Sequence, residues 1–115
     1  TRFAYSDLRL TGDVAQGVRV RCTIRNTGSR AGDEVVQVYL RDPVASVTRP
    51  VLALAGFTRV TLAPGEAQDV ALLLPRAVFE VPGPDLAPVL EPGAVTVLVG
   101  ASSRDLRLRG EVMVR

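Results

Sequence analysis

Histidine and lysine are both absent from this sequence of 115 residues, and cysteine occurs only once, at Cys22. A serine or cysteine nucleophile needs a neighbouring base, and the two residue types that most often supply it are missing. A single cysteine excludes an intrachain disulfide and a thiolate metal site. Because Cys22 falls on the apolar side of its strand pattern, we expect a buried and unreactive thiol. Its presence does not indicate a redox compartment.

Tryptophan is also absent, and the five aromatic residues are two tyrosines and three phenylalanines. Carbohydrate-binding modules usually stack sugars on exposed planar rings, so autonomous sugar binding is not expected. For Tyr39, which shares a strand face with Val35, the pattern favours a place in the core or at an interface. No apolar run reaches the roughly 20 residues that a membrane span requires, so we expect no membrane partner.

The formal net charge is +2, and every one of the 14 basic residues is arginine. These arginines are spread along the chain instead of forming a dense basic stripe, which argues against a nucleic-acid partner. The most conspicuous charged feature is the row Arg19, Arg21 and Arg25. It is either a solvated strand face or a surface that pairs with a neighbouring domain or an anionic partner. The Arg-, Ala-, Val-, Gly- and Pro-rich composition suggests a GC-rich bacterial source, with the compartment, cytoplasmic or secreted, left open.

Apolar and polar residues alternate with a period of two along most of the chain. Val18, Val20, Cys22 and Ile24 share one side, which is typical of a half-buried strand. Turn residues separate the alternating segments, and an interruption near Gly56 predicts either a bulge or a close approach of another backbone. We expect an all-β, antiparallel, seven-stranded immunoglobulin or fibronectin type III-like sandwich. The predicted strands cover residues 3–10, 18–25, 34–41, 51–62, 67–74, 94–99 and 105–114.

Residues 76–92 show no periodicity and contain four prolines, so they are predicted to form an irregular crossing. The chain has the length of one domain, 1–115. It begins at Thr1 without an initiator methionine, so we expect a fragment of a larger multidomain protein.

Three segments resemble one family in sequence order. Residues 26–39 match N-T-G-x-x-x-G-x-E-V-V-Q-x-Y, residues 49–66 match R-P-x-x-x-L-x-G-F-x-R-V-x-L-x-P-G-E, and residues 91–106 match E-P-G-x-x-x-V-x-V-G-x-S-S-x-D-I with Leu106 in place of the last isoleucine. These patterns are similar to the C-terminal fibronectin type III-like domain of family 3 glycoside hydrolases. The resemblance covers nearly the whole chain. It departs from the family at residues 76–90, where the usual aromatic pair and tryptophan are replaced by Phe79 and prolines.

The resemblance implies a non-catalytic accessory domain of a β-glucosidase-like or β-xylosidase-like hydrolase. In the family this domain follows a TIM-like barrel with the aspartate nucleophile and an α/β sandwich that usually carries the acid/base. It implies a retaining parent enzyme without a cofactor, and the catalytic domains of the same polypeptide as partners. The alternative is a free-standing fibronectin type III-like binding or adhesion module, which an exposed aromatic cluster would favour.

Carboxylate spacing argues against catalysis by this chain alone. Glycoside hydrolysis requires two carboxylates about 5–9.5 Å apart across the scissile bond. Asp33 and Glu34 are adjacent on a predicted strand, so their side chains point to opposite faces. Asp42, Asp85 and Asp105 fall at turns, where aspartate commonly caps the backbone. We therefore expect no catalytic, metal-binding or cofactor-binding residue.

Several strands carry apolar residues on both sides, although a sandwich strand needs only one apolar face. Leu73, Leu98, Val51 and Ala53 are the surplus residues, and they suggest a face that docks on another domain. Tyr39 and Arg49 are the remaining candidates for this interdomain surface. The loop at residues 42–50, which contains Arg49, is interpreted either as reaching an interdomain seam or the active-site rim, or as an ordinary surface loop.

Overall fold

A computed structural model describes residues 2–41, 52–82, 88–90 and 93–114. Two sheets account for seven long strands: β1 (Phe3–Asp13), β2 (Gly17–Asn26), β3 (Gly32–Arg41), β4 (Leu52–Leu62), β5 (Ala67–Leu74), β8 (Gly93–Ser102) and β9 (Asp105–Val114). Two further strands, β6 (Val81–Pro82) and β7 (Pro88–Val89), pair only with each other. The described part of the chain holds no helix long and apolar enough to cross a membrane.

The three-stranded sheet has the order β1-β2-β5, and the four-stranded sheet has the order β4-β3-β8-β9. Each of these neighbouring pairs is antiparallel. The sheets face each other, with β1 packed on β9 along one side and β4 close to β5 along the other. The predicted all-β, antiparallel, seven-stranded sandwich is therefore confirmed.

The core lies between the two sheets and is built from alternate residues of each strand. In β2, Val18, Val20, Cys22 and Ile24 are all buried, while the arginines between them are exposed. In β3, Val36, Val38 and Leu40 take the same role for the facing sheet. The burial of Cys22 confirms its predicted position on the apolar side.

A β-bulge interrupts β4 near Gly56, which is the first of the two alternatives that the sequence left open there. Val38 pairs with Gly56, but the next residue, Tyr39, pairs with Leu54, so Ala55 is the extra residue. Beyond the bulge the strand resumes its alternation with the opposite phase. The shift changes which side chains of β4 point away from the core.

The proline-rich crossing contains more order than its lack of periodicity predicted. Arg76–Phe79 forms a 3-10 helix, and Phe79 inserts its ring into the core. The β6–β7 pair then joins two residues from each side of the crossing. The predicted loop at residues 42–50, together with Val51, lies outside the described residues.

The first and last strands run in the same direction on facing sheets. The Arg107 guanidinium, near the start of β9, donates a hydrogen bond to the carbonyl oxygen of Phe3, near the start of β1. Farther along, Gly110 lies against the side chains of Leu8 and Leu10. Phe3 and Val114 consequently lie at opposite ends of the sandwich.

Candidate functional site

The first signature segment begins at Asn26, whose fully buried side chain connects two loops. Its Nδ2 donates to the carbonyl oxygens of Arg30 at 2.8 Å and Leu62 at 3.0 Å. Its Oδ1 accepts the backbone N–H of Gly28 at 2.9 Å, which closes the turn after β2. Asn26 therefore serves the fold, because its amide satisfies backbone groups that would otherwise be buried without partners.

The backbone of Asn26 also pairs with the turn between β4 and β5. Its N–H donates to the carbonyl oxygen of Glu66 at 2.9 Å, and its carbonyl oxygen accepts the N–H of Gly65 at 2.8 Å. Glu66 completes this turn by accepting the N–H of Ala63 on its carboxylate at 2.8 Å. The N-T-G and P-G-E motifs are thus two halves of one junction between the sheets.

The polar residues of the E-V-V-Q-x-Y motif have structural partners as well. Glu34 accepts a hydrogen bond at 2.9 Å from the hydroxyl of Tyr5, which belongs to the opposite sheet. Gln37 donates to the carbonyl oxygen of Ala101 at 3.1 Å and accepts a hydrogen bond from the hydroxyl of Tyr39. Burial raises the pKa of Tyr5 well above its ordinary value, and its bond to Glu34 adds to that effect.

Arg107 lies at the same end of the sandwich as the hydrogen bond between Tyr5 and Glu34. Its Nε and Nη2 each donate to a different carboxylate oxygen of Asp105 at 2.9 Å, and its guanidinium lies 5.1 Å from the centre of the Tyr5 ring. The hydrogen bonds from Arg107 lower the pKa of Asp105. Asp105 is the aspartate of the S-S-x-D motif, and its carboxylate acts as the partner of a structural arginine.

The adjacent carboxylates Asp33 and Glu34 point to opposite faces of β3, as their positions predicted. Asp33 accepts hydrogen bonds from Thr61 at 2.7 Å and from Arg59, and both lower its pKa. Glu34 turns instead toward Tyr5 between the sheets. In the described residues no group of three or more metal-ligating side chains comes together.

The outer face of the three-stranded sheet is rich in arginine. Arg9 pairs with Arg21 across β1 and β2, Arg19 pairs with Thr11 and Leu73, and Arg25 pairs with Ala67. Opposed like charges such as Arg9 and Arg21 are unfavourable in a sheet unless water solvates them. This arrangement is typical of a face that stays hydrated.

The outer face of the four-stranded sheet is apolar at its centre. Tyr39 lies between Leu54 and Leu98 in one cross-strand row, and Phe57 occupies the next row beside Gln37. Val35, two residues before Gln37 on β3, lies on the same outer face. We call these five residues the outer patch: Val35, Tyr39, Leu54, Phe57 and Leu98. Val35, Leu54 and Phe57 have 40%, 53% and 64% of their surface exposed, so the residues that the structure describes leave much of this apolar surface uncovered.

The structure divides the docking residues predicted from the sequence. Leu98 and Tyr39 belong to the outer patch, where Leu98 is only 6% exposed and Tyr39 is half-buried. Leu73 is 60% exposed on the opposite, arginine-rich face. Ala53 is exposed but pairs with Leu40, so it lies on the inward-facing side of the edge strand β4. The remaining two, Val51 and Arg49, lie outside the described residues.

Leu54 and Phe57 were missed by sequence reasoning because of the bulge at Ala55. Strict alternation would place residues 54 and 57 on opposite sides of the strand. The extra residue brings both side chains to the outer face. The interruption at Gly56 was the only signal in the sequence, and it did not indicate which side chains the bulge would expose.

Comparison with known proteins gives the same family as the signature segments. The model of the fibronectin type III-like domain matches residues 34–103. A β-xylosidase of Formosa agariphila is 44% identical over 90% of this chain, and thermostable β-glucosidase B of Acetivibrio thermocellus is 36% identical over 99% of it. This chain spans only 15% and 16% of the lengths of those two proteins.

Among solved structures, a GH3 β-glucosidase of Bifidobacterium adolescentis superposes with a TM-score of 0.90 at 32% identity. The superposition covers 98% of this chain and 17% of that one. The sequence relatives and the superposed structure cover nearly the whole sandwich, and the family model covers most of it, from β3 to the end of β8. The chain belongs to the fibronectin type III-like domain family.

Proposed function

We propose that this chain, residues 1–115, is a non-catalytic accessory domain of a longer β-glucosidase-like or β-xylosidase-like glycoside hydrolase. It stabilises that enzyme by docking on the catalytic part of the same polypeptide. The observation that carries the proposal is the extent of the match: nearly all of this chain aligns with about one sixth or less of enzymes named β-xylosidase or β-glucosidase. The remaining length of such a polypeptide would hold the catalytic carboxylates.

The polar residues of the signature segments support a structural role. Asn26, Glu34 and Asp105 each engage a backbone or side-chain partner within the sandwich. A catalytic pair of carboxylates must instead face a substrate from two sides. Asp33 and Glu34 face away from each other, so they do not form such a pair.

A free-standing binding module is the rival function, and the positions of the aromatic rings weigh against it. All five aromatic residues lie in the described part of the chain, and only Phe57 is exposed. Phe3 and Phe79 are buried, and both tyrosines are half-buried with their hydroxyls bonded to Glu34 and Gln37. One exposed ring does not make a stacking platform for a sugar chain.

The first experiment is to determine the coding sequence immediately upstream of Thr1. The proposal expects several hundred codons that encode catalytic domains in the same reading frame. A start codon or a signal peptide directly before Thr1 would instead establish a free-standing module.

The second experiment compares the longer polypeptide with a version that lacks residues 1–115. Hydrolysis of aryl β-glucosides and β-xylosides should belong to the longer polypeptide and not to this chain alone. Removal of the domain should shorten the half-life of that activity on heating. An unchanged half-life would refute the stabilising role.

A further inference from the structure

The two outer faces of the sandwich differ in the side chains that docking would remove from water. On the three-stranded sheet, docking would remove water from the opposed pair Arg9 and Arg21, which share a surface depression with Asp7 and Asp69 but form no salt bridge with either. Removing water from this concentration of charged side chains is costly unless the partner supplies matching hydrogen bonds. On the four-stranded sheet, docking would cover mainly Leu54, Phe57 and Val35, whose burial is favourable.

We propose that the outer patch is the surface by which this domain docks, with the exposed ring of Phe57 inserted into an apolar surface of the catalytic part of the same polypeptide. This inference rests on the proposed function and specifies the face and the anchor residue. The arginine-rich face, with Leu73, remains in water.

The dimensions of the face suit such an interface. Four strands spaced about 4.8 Å apart and about ten residues long give a face of roughly 15–19 by 33 Å. Its area is somewhat below the roughly 800 Å² that each partner contributes to a standard protein interface. Charged residues, among them Arg41, Arg59 and Glu111, surround the apolar centre. An apolar centre with a charged rim is the usual anatomy of an interface.

Two structural devices hold the outer patch in place. The bulge at Ala55 directs Leu54 and Phe57 to the same side of β4. The hydroxyl of Tyr39 is bonded to Gln37, which is itself bonded to Ala101, so the tyrosine ring is fixed between Leu54 and Leu98. Side chains that are ordered before docking lose less conformational entropy when they are buried.

The catalytic part of the same polypeptide is the favoured occupant because the relatives contain about six times the length of this chain. A covalent connection gives the two surfaces a high effective concentration, so a moderate apolar area is enough to keep them together. A second copy of this chain has no such advantage and would associate only at higher protein concentration.

Thiol labelling of the longer polypeptide tests the choice of face. Val35→Cys places a thiol in the outer patch, and Leu73→Cys places one on the arginine-rich face. Both positions are exposed in the domain, at 40% and 60%, while the native Cys22 is buried and should react slowly. The rate of maleimide attachment at each position is followed by peptide mass spectrometry under native conditions.

We expect position 35 to react at least tenfold more slowly than position 73, and to reach a comparable rate after denaturation. Equal native rates in an active longer polypeptide would overturn the docking face and leave the accessory-domain function intact. Slower labelling at position 73 would assign docking to the other face. Protection of position 35 that disappears on dilution would assign the outer patch to a second copy of the chain. Absence of a hydrolase upstream of Thr1 would overturn the proposed function itself.

A pair of polar substitutions gives an independent readout. Phe57→Ser and Leu73→Ser remove apolar side chains of similar exposure, 64% and 60%, from opposite faces. We expect Phe57→Ser to shorten the half-life of hydrolytic activity at elevated temperature at least fivefold, and Leu73→Ser to leave it within twofold of the unchanged enzyme. Equal half-lives of the two variants would contradict Phe57 as the anchor.

Discussion

Replacement of Asn26 by alanine should be among the most destabilising single changes outside the apolar core. The alanine variant loses hydrogen bonds to Arg30 and Leu62 and from Gly28, at 2.8, 3.0 and 2.9 Å. A typical hydrogen bond contributes about 1 kcal/mol net, and a buried carbonyl oxygen left without a donor costs about 1–3 kcal/mol. We therefore expect a loss of about 3 kcal/mol in the free energy of unfolding. That is a large part of the roughly 5–15 kcal/mol available to a domain.

Urea unfolding of the isolated chain measures this loss through the midpoint concentration, with the slope unchanged if the variant remains two-state. A loss of about 3 kcal/mol corresponds to a fall of about 10–15 °C in melting temperature for a domain of this size. Thr27→Ala is the matched control, because Thr27 is the next residue and its side chain is exposed. The control should change stability by less than about 0.5 kcal/mol. If the two variants unfold at the same midpoint, the junction formed by Asn26 does not stabilise the sandwich.

Three further predictions concern other parts of the sandwich. Gly100→Ala should cost at least about 1–3 kcal/mol in urea unfolding, because its Cβ would lie 2.0 Å from the carbonyl oxygen of Asp105. Gly56→Ala meets only an ordinary contact at 3.6 Å, so a similar loss there would contradict the steric argument. The pKa of Asp105 is lowered from 3.8 by Arg107, so its contribution to stability is complete above about pH 4 and is lost as the pH falls through the depressed folded-state pKa. The difference in melting temperature between the unchanged chain and Asp105→Asn should shrink below pH 4. A constant difference down to pH 2 would refute the stabilising role of the Asp105 carboxylate. Burial raises the pKa of the Cys22 thiol to about 11, so a disulfide reagent should react slowly with the native chain at pH 8 and fully in urea, and rapid native reaction would show that the thiol is accessible.

The strand content was predictable because period-two alternation reports directly which side of a strand is buried. Val18 to Ile24 is the clearest case, and residues 67–74 form a strand with the predicted bounds. An irregularity near Gly56 was also predictable, since glycine interrupts an otherwise apolar strand, although the sequence did not distinguish a bulge from a close backbone approach. These features depend only on residues that are neighbours in sequence, so they can be predicted without knowledge of the rest of the fold.

The composition of the candidate docking surface depends on partners distant in sequence. Leu98 appeared to be a surplus apolar residue, but Tyr39 and Arg109 on the neighbouring strands flank it and its side chain is buried. Leu73 has the same local pattern and remains exposed because it lies on an edge strand beside Arg19. Alternation cannot separate these cases, because the order of strands within each sheet decides them.

The residues of the signature segments show a second limit on what can be predicted about the candidate site from the sequence. Conspicuous polar residues such as Asn26 suggest a site, yet here they join loops that are far apart in sequence. The partner of Asn26 in the second motif, Leu62, is 36 residues away, and no spacing rule predicts that pairing. Its local bond to Gly28, only two residues away, was the part that turn chemistry could anticipate.

The parallel course of β1 and β9 has a mechanical consequence. Because Phe3 and Val114 lie at opposite ends of the sandwich, tension applied through the two termini would pull β1 along β2 and β9 along β8. Such sliding loads many ladder hydrogen bonds simultaneously, whereas pulling both ends of a hairpin from the same side opens them one after another. Extension through the two ends would therefore meet more resistance than the opening of a single hairpin, and the points of attachment lie a full strand length apart.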